Sequence, residues 1–332
     1  MATIKKIGSA GGGTRDFIDP ASWLLSFAAG GWEGECYNDT EFLSTSTINF
    51  SGQATSATDY IKLSAASGQG FRDNANKLTN ALKYNQSNGV GIRNNTKYVD
   101  TISISEDYVT LVGLQVSQSA TGGGGGQIPI RATTNSQTHG VFDSLICENT
   151  SGTGNQGVMN LKEQTVKNCL LIQRGTSGDG IFISYPGSAG LIINNTIVRP
   201  SDITAADNGI HSTSGSWTVV NTAIFGFTNF SSGGTPTGCS NNASDVTIGT
   251  GSANQASKTY TSQFQTTTDA ARDFRAKAAA DLLENATSTG APSTDIVGTS
   301  RPQSSAYDIG CWELVVAGGS TPVHRLTCLG VG

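Results

Sequence analysis

Asp179, Asp207 and His211 fall within one stretch of the chain, with Arg199 and Asp202 in the long loop between them. Glycoside hydrolysis uses two carboxylates held about 5–10 Å apart. Asp179 precedes Gly180-Ile181-Phe182-Ile183 and Asp207 precedes Gly209-Ile210-His211. If those segments are strands of one sheet, one or two spacings of ~4.8 Å would suit that chemistry. The plainer reading is stronger. Ser177-Gly178-Asp179-Gly180 and Ala206-Asp207-Asn208-Gly209 are ordinary turn sequences. Pairing Gly180 with Gly209 sets Asp179 opposite Asn208 rather than Asp207, and His211 opposite Phe182. Asp179, Asp207 and His211 are thus minority catalytic candidates, and the expectation is a protein without enzymatic activity.

Metal and cofactor chemistry finds little support. The six cysteines (36, 147, 169, 239, 311 and 328) form no Cys-x-x-Cys pair, and the histidines (139, 211 and 324) are far apart. Buried thiols are expected, with disulfides formed outside a reducing cytosol as the alternative. No calcium-loop spacing, Gly-x-Ser-x-Gly or Walker motif is present. The five glycines at 122–126 lack a following Lys-Ser/Thr and read as a surface loop. No metal and no cofactor is expected.

The elements that would hold these residues are short. Glycine supplies 42 of 332 residues, nearly twice the usual share of about 7%. Charged residues make up only 14%, and proline only 8 positions, which fits many short strands and tight turns. No apolar run approaches the ~20 residues of a membrane helix. Basic residues near the N-terminus lack an apolar stretch behind them, so a secretory signal is not expected. A net charge of −5 without a basic cluster argues against nucleic acid as a partner.

Five six-residue segments align without gaps. They start at Leu111, Val141, Val166, Ile193 and Val219, and their third positions are Gly113, Asp143, Asn168, Asn195 and Asn221. The uniformly apolar columns are the first and the sixth, of opposite parity, so the chain must bend between them. Gly, Asp and Asn tolerate the left-handed conformation of such a corner. Further strands lie upstream (Gly157–Leu161, Gly180–Ile183, Gly209–His211 and, one turn earlier, Gln127–Ile130), leaving no room for an ordinary helix. The pattern describes an all-β parallel β-helix. Asn168, Asn195 and Asn221 are expected to stack as one amide ladder. Less regular strands at 60–63, 81–84, 89–92 and 98–104 would form the first coils. The expected organisation is an N-terminal cap with first strands over 1–58, coils over 59–240 and a closing or attachment segment over 241–332.

The ends of such a tube must be covered. Asp19-Pro20 followed by Trp23, Leu24 and Phe27 reads as a short capping helix. Parity sends the fifth column (Gln115, Leu145, Leu170, Ile197, Ala223) outward although it is mostly apolar, and Phe225, Phe227 and Phe230 continue it. Such a stripe is covered by something. It is either the chain's own segment beyond 240 or another subunit, such as a trimer mate.

Two stretches carry a resemblance. Asp273-Phe274-Arg275, Asp295 to Arg301-Pro302, and Asp308-Ile309-Gly310-Cys311-Trp312-Glu313 resemble the closing segment of right-handed parallel β-helix repeat proteins, with Cys311 where alanine is more usual. Ile7-Gly8 with its glycine run, Arg15-Asp16-Phe17, Trp23 and Gly34-Glu35-Cys36-Tyr37-Asn38-Asp39 look like the opening of β-helix proteins of tailed bacteriophages. The resemblance implies a virion component assembled in the host cytoplasm: a capsid decoration protein, head fibre or tail spike. Its partners would be further copies of itself and the major capsid or tail proteins. Within that class a non-enzymatic decoration of the capsid exterior is expected. The alternative is a spike that binds or cleaves host surface polysaccharide.

Overall fold

The computed structural model describes residues 3–9, 15–26, 30–120, 127–132, 139–151, 157–184, 190–204, 207–213, 217–234, 236–249 and 251–315. The five glycines, Phe27, His324 and Cys328 lie outside them.

Three long sheets, each parallel throughout, wind around a common core. Each complete coil contributes one strand to each sheet. The first sheet runs in order from Thr3–Ile7 through Trp32–Cys36, Ile61–Ala65, Val109–Val112, Val141–Asp143, Thr165–Lys167, Gly190–Ile193 and Trp217–Val220 to Gly238–Ser240. The second sheet runs from Phe42–Ser44 to Ala243–Ser244, and the third from Ile48–Phe50 to Asn229–Gly233. The chain is a parallel β-helix. Strands as short as three or four residues suffice because each borrows its hydrogen bonds from the coils before and after it.

Opposite apolar parity across the corner is what closes the tube. Leu111, Phe142, Val166, Ile192 and Val219 form one inward file of the first sheet, and Val116, Cys147, Leu171, Ile197 and Ile224 one of the second. Between these files one residue per coil has a positive φ: Gly113, Ser144, Asn168, Asn194, Asn221 and Asn241, all between 52° and 67°. The gapless alignment is therefore one residue out of register in two coils. Ser144, not Asp143, and Asn194, not Asn195, occupy the corner.

The N-terminal end is closed by a helix over Pro20–Leu24. Asp19 Oδ1 accepts from Ser22 N at 2.8 Å, and Trp23 is fully buried, 6.4 Å from the Trp32 ring. The segment 81–84 is not a strand. It belongs to an excursion over 66–90 held to the tube by Gln115, which donates to Asn85 O and Gly89 O, and to the segment beyond 258 by Leu82, whose N–H donates to Asp273 Oδ1.

The segment beyond 258 does not coil. It carries a short helix, Tyr260–Gln263, and one antiparallel pair, Phe264–Thr266 with Asp273–Ala276, and lies against the outside of the second sheet. There Ile146, Leu170, Ile172, Val198, Ala223 and Phe225 make a second apolar core with Tyr260, Phe264, Phe274, Ile296, Ile309 and Trp312. The outward stripe is covered by the chain itself.

Candidate functional site

The third sheet brings the minority catalytic group together. Ile181 pairs with Ile210 and Phe182 with His211, so Gly180 stands beside Gly209 and Asp179 beside Asn208. The glycines are obligatory. A Cβ on Gly180 would lie 2.2 Å from Ile197 Cγ2, and one on Gly209 2.1 Å from Ile224 Cγ2. Asp179 Oδ2 lies 3.2 Å from His211 Nδ1, and its Oδ1 accepts from Asn208 N at 3.0 Å and Asn208 Nδ2 at 2.9 Å. The His211 ring meets the Phe182 ring edge-on at 5.1 Å. Burial raises the Asp179 carboxyl above the usual carboxylate range, and the Asn208 donors and His211 offset part of that rise.

Asp207 Oδ2 accepts from Gly178 N at 2.6 Å and lies 3.6 Å from Arg199 Nη2. Arg199 is wholly buried, 5.5 Å from the Phe227 ring centroid, and donates to Gly175 O at 2.6 Å and Gly178 O at 2.7 Å. Burial lowers its pKa, yet a guanidinium of this basicity stays charged at neutral pH.

The register explains what Arg199 does. It continues a file that runs through Asn94, Gln118, Asn149 and Gln173 at the end of the second sheet. In four coils the side-chain oxygen of that residue accepts the N–H two residues on: Thr96, Ala120, Ser151 and Gly175. Arg199 supplies donors to the turn backbone instead. The group is a turn scaffold. Asp179 has both carboxylate oxygens engaged and is 2% exposed.

The asparagines divide into two files. Asn195 does not stack with Asn168 and Asn221. It sits inside the tube in register with Leu145, Cys169, Thr222 and Asn242. There Cys169 N donates to Asn195 Oδ1 at 2.8 Å, Thr222 N to Asn242 Oδ1 at 2.9 Å and Asn242 N to Asn254 Oδ1 at 2.9 Å. Asn168, Asn194, Asn221 and Asn241 form the corner file, whose single amide-to-amide bond runs from Asn221 Nδ2 to Asn194 Oδ1 at 3.2 Å. Their other bonds reach outward to the closing segment. Asn168 Nδ2 donates to Thr294 O, Asn221 Nδ2 to Thr287 O and Asn241 Nδ2 to Asn285 O, while Thr287 N donates to Asn221 Oδ1. Asn194 Nδ2 faces the carbonyls of Asp308 and Gly310.

Of the stripe, Leu145, Leu170, Ile197, Phe225, Phe227 and Phe230 are the residues read as a subunit interface, and all six are buried within the chain. Leu145 and Ile197 point into the tube, as do Phe227 and Phe230; Leu170 and Phe225 point outward but lie under the closing segment. The off-register alignment misplaced Leu145 and Ile197.

The terminal motif builds the lock of that segment. Arg301 donates to Asp308 O and Gly310 O; Gly310 N donates to Asn221 O and Cys311 N to Thr196 Oγ1. Glu313 accepts from Gln303 N and Asp308 N, and its own N–H donates to Asp295 Oδ2. Farther along, buried Glu148 pairs with Arg174 at 3.0 Å and Arg272 at 2.6 Å, and Arg174 also grips Asp269. The sequence spacing carried no signal for this network, because Arg174 and Asp269 lie 95 residues apart and Glu148 and Arg272 lie 124 apart.

Among the described residues no three His, Cys, Asp or Glu side chains converge as metal ligands. The five described cysteines are buried. Comparison with known proteins finds no matching family model, no matching curated protein and no matching solved structure.

Proposed function

We propose that this parallel β-helix is a non-enzymatic structural component of a tailed-phage virion, a decoration of the capsid exterior held by contacts with other virion proteins. The observation that supports it most is the state of the Asp179–His211–Asp207–Arg199 group. Its carboxylates and guanidinium are engaged in holding the protein's own turns. The N-terminal motif that resembles phage β-helix proteins supplies the virion context, and the lock built by the C-terminal motif gives its resemblance to β-helix repeat proteins a physical role. Self-association remains part of the proposal, on a surface other than the covered stripe.

A spike that cleaves host polysaccharide is the second reading, favoured by the 3.2 Å approach of His211 to Asp179. The test has two arms. Purified protein is incubated with host surface polysaccharide and chain length is followed; unchanged length is expected, and shortening overturns the non-enzymatic reading. Gold-labelled antibody against the chain is then applied to intact particles. Label over heads is expected, whereas label at tail tips, or on no particle, overturns the capsid assignment.

A further inference from the structure

The outside of the first sheet differs from that of the second in being partly open and charged. A concavity of about 440 Å³ is bounded there by Lys62 and Glu35 on the sheet, by Arg72, Asp73 and Lys77 on the 66–90 excursion, and by the turn at Gly298 of the closing segment. Three segments far apart in sequence thus meet around one space.

Two of its cations have no counter-ion among the described residues. Lys62 is paired with Glu33 at 3.0 Å, and Asp73 Oδ2 accepts from the N–H groups of Gly68 and Gly70. Arg72 has one side-chain hydrogen bond, from Nη2 to Thr294 Oγ1 at 3.3 Å, and no described carboxylate forms an ion pair with it or with Lys77. Both heads converge on the same point. A Cβ on Gly298 would lie 3.6 Å from Arg72 Nη2 and 3.8 Å from Lys77 Nζ. Gly298 has φ +83°, so side chains are disfavoured there and the space between the cations stays clear. In a chain of net charge −5, two half-buried cations facing each other without an acid between them repel, and a bound anion relieves that repulsion.

We propose that this concavity is an oxyanion site in which the Arg72 fork and the Lys77 ammonium hold the carboxylate of an acidic ligand. A planar guanidinium matches a carboxylate with two parallel hydrogen bonds, and the ammonium adds a point charge. Glu35 and Asp73 on the same walls disfavour a dianion, so a monoanionic carboxylate is preferred to phosphate. The carboxylate comes either from a free small acid or from an Asp or Glu side chain of a docked protein.

The test is titration of the full chain with acetate, inorganic phosphate and a short Glu-rich peptide, followed by amide chemical shifts of Gly298 and Gly113. Saturable shifts with a dissociation constant of about millimolar order are expected for acetate, for the peptide, or for both. Tighter binding of acetate identifies a free acid as the source, and tighter binding of the peptide identifies a protein side chain. Lys77→Glu, at a half-exposed side chain, leaves the fold intact and is expected to weaken binding at least about tenfold, with raised salt weakening it further. Unchanged affinity in Lys77→Glu and Arg72→Gln, tighter binding of phosphate than of either carboxylate, or no saturable shift with any probe overturns the proposal.

Discussion

Asn194 and Asn195 are neighbours in sequence and work on opposite sides of the same wall. Asn194 turns the corner at φ 52° and reaches outward to the closing segment. Asn195 points inward, where its Oδ1 accepts from Cys169 N and its Nδ2 donates to Val166 O at 2.8 Å. The inward file ties each coil to the previous one, and the corner file ties the coils to a strap laid across them. Residue type alone does not separate the two roles. What separates them is which residue takes the left-handed conformation, because that choice flips every side chain after it.

Four experiments break or sharpen this contrast. Phe225→Ala empties a site between the second sheet and Tyr260 and Phe264, so a loss of about 3–5 kcal/mol is expected in denaturant melts; a neutral result would show that the strap does not cover a true core. Asn195→Ala leaves the buried Cys169 N–H without its acceptor, removes the Asn195 donor to Val166 C=O and is expected to cost about 2–3 kcal/mol. Asn221→Gly keeps the left-handed corner but removes both bonds to Thr287. It should cost about 1 kcal/mol and speed hydrogen exchange around 284–294 more than inside the tube; uniform exchange would deny the corner file its fastening role.

The smallest effect concerns pH. Glu313 is buried beside Asp308, and its pKa is pushed up to about 7, with Arg301 opposing the rise. Asp295 and Asp308 are raised in the same sense. A carboxyl that holds its proton more tightly folded than unfolded contributes stability that is complete below its unfolded value of about 4.3 and is lost as pH rises through about 7. Melting temperature should therefore decline modestly from pH 5 to 8, and Glu313→Gln should flatten that slope. An unchanged slope would place the titration elsewhere.

The coil was legible in the sequence because opposite parity at the first and sixth columns admits one physical solution, a bent chain with a shared interior. The cap was legible from Asp19-Pro20 and Trp23. The exact corner was not. Ser144 adopts a left-handed conformation that aspartate, as at Asp143, tolerates better than serine, and Asn194-Asn195 offers two equivalent residues, so only pairing with neighbouring coils decides. That single-residue ambiguity moved Leu145 and Ile197 from the interior to the surface and hid the file from Asn94 to Arg199. For Asp179 and His211 the side-by-side placement was legible from Gly180 and Gly209. The engagement of Arg199 with the Gly175 and Gly178 carbonyls was not, because a buried arginine has no local signature. The convergence of Arg72 and Lys77 on Gly298 spans more than two hundred residues and had none either.

The strap has a consequence for biogenesis. Ribosomes deliver residues in order, so the coils from Ile146 to Phe225 are synthesised before the residues that cover them. Until Phe264, Phe274 and Trp312 emerge, a nascent chain carries a greasy flank that can adhere to other chains. Its production should be sensitive to translation speed and to chaperone supply, and a late premature stop should prove far more damaging to solubility than the length of the missing tail suggests.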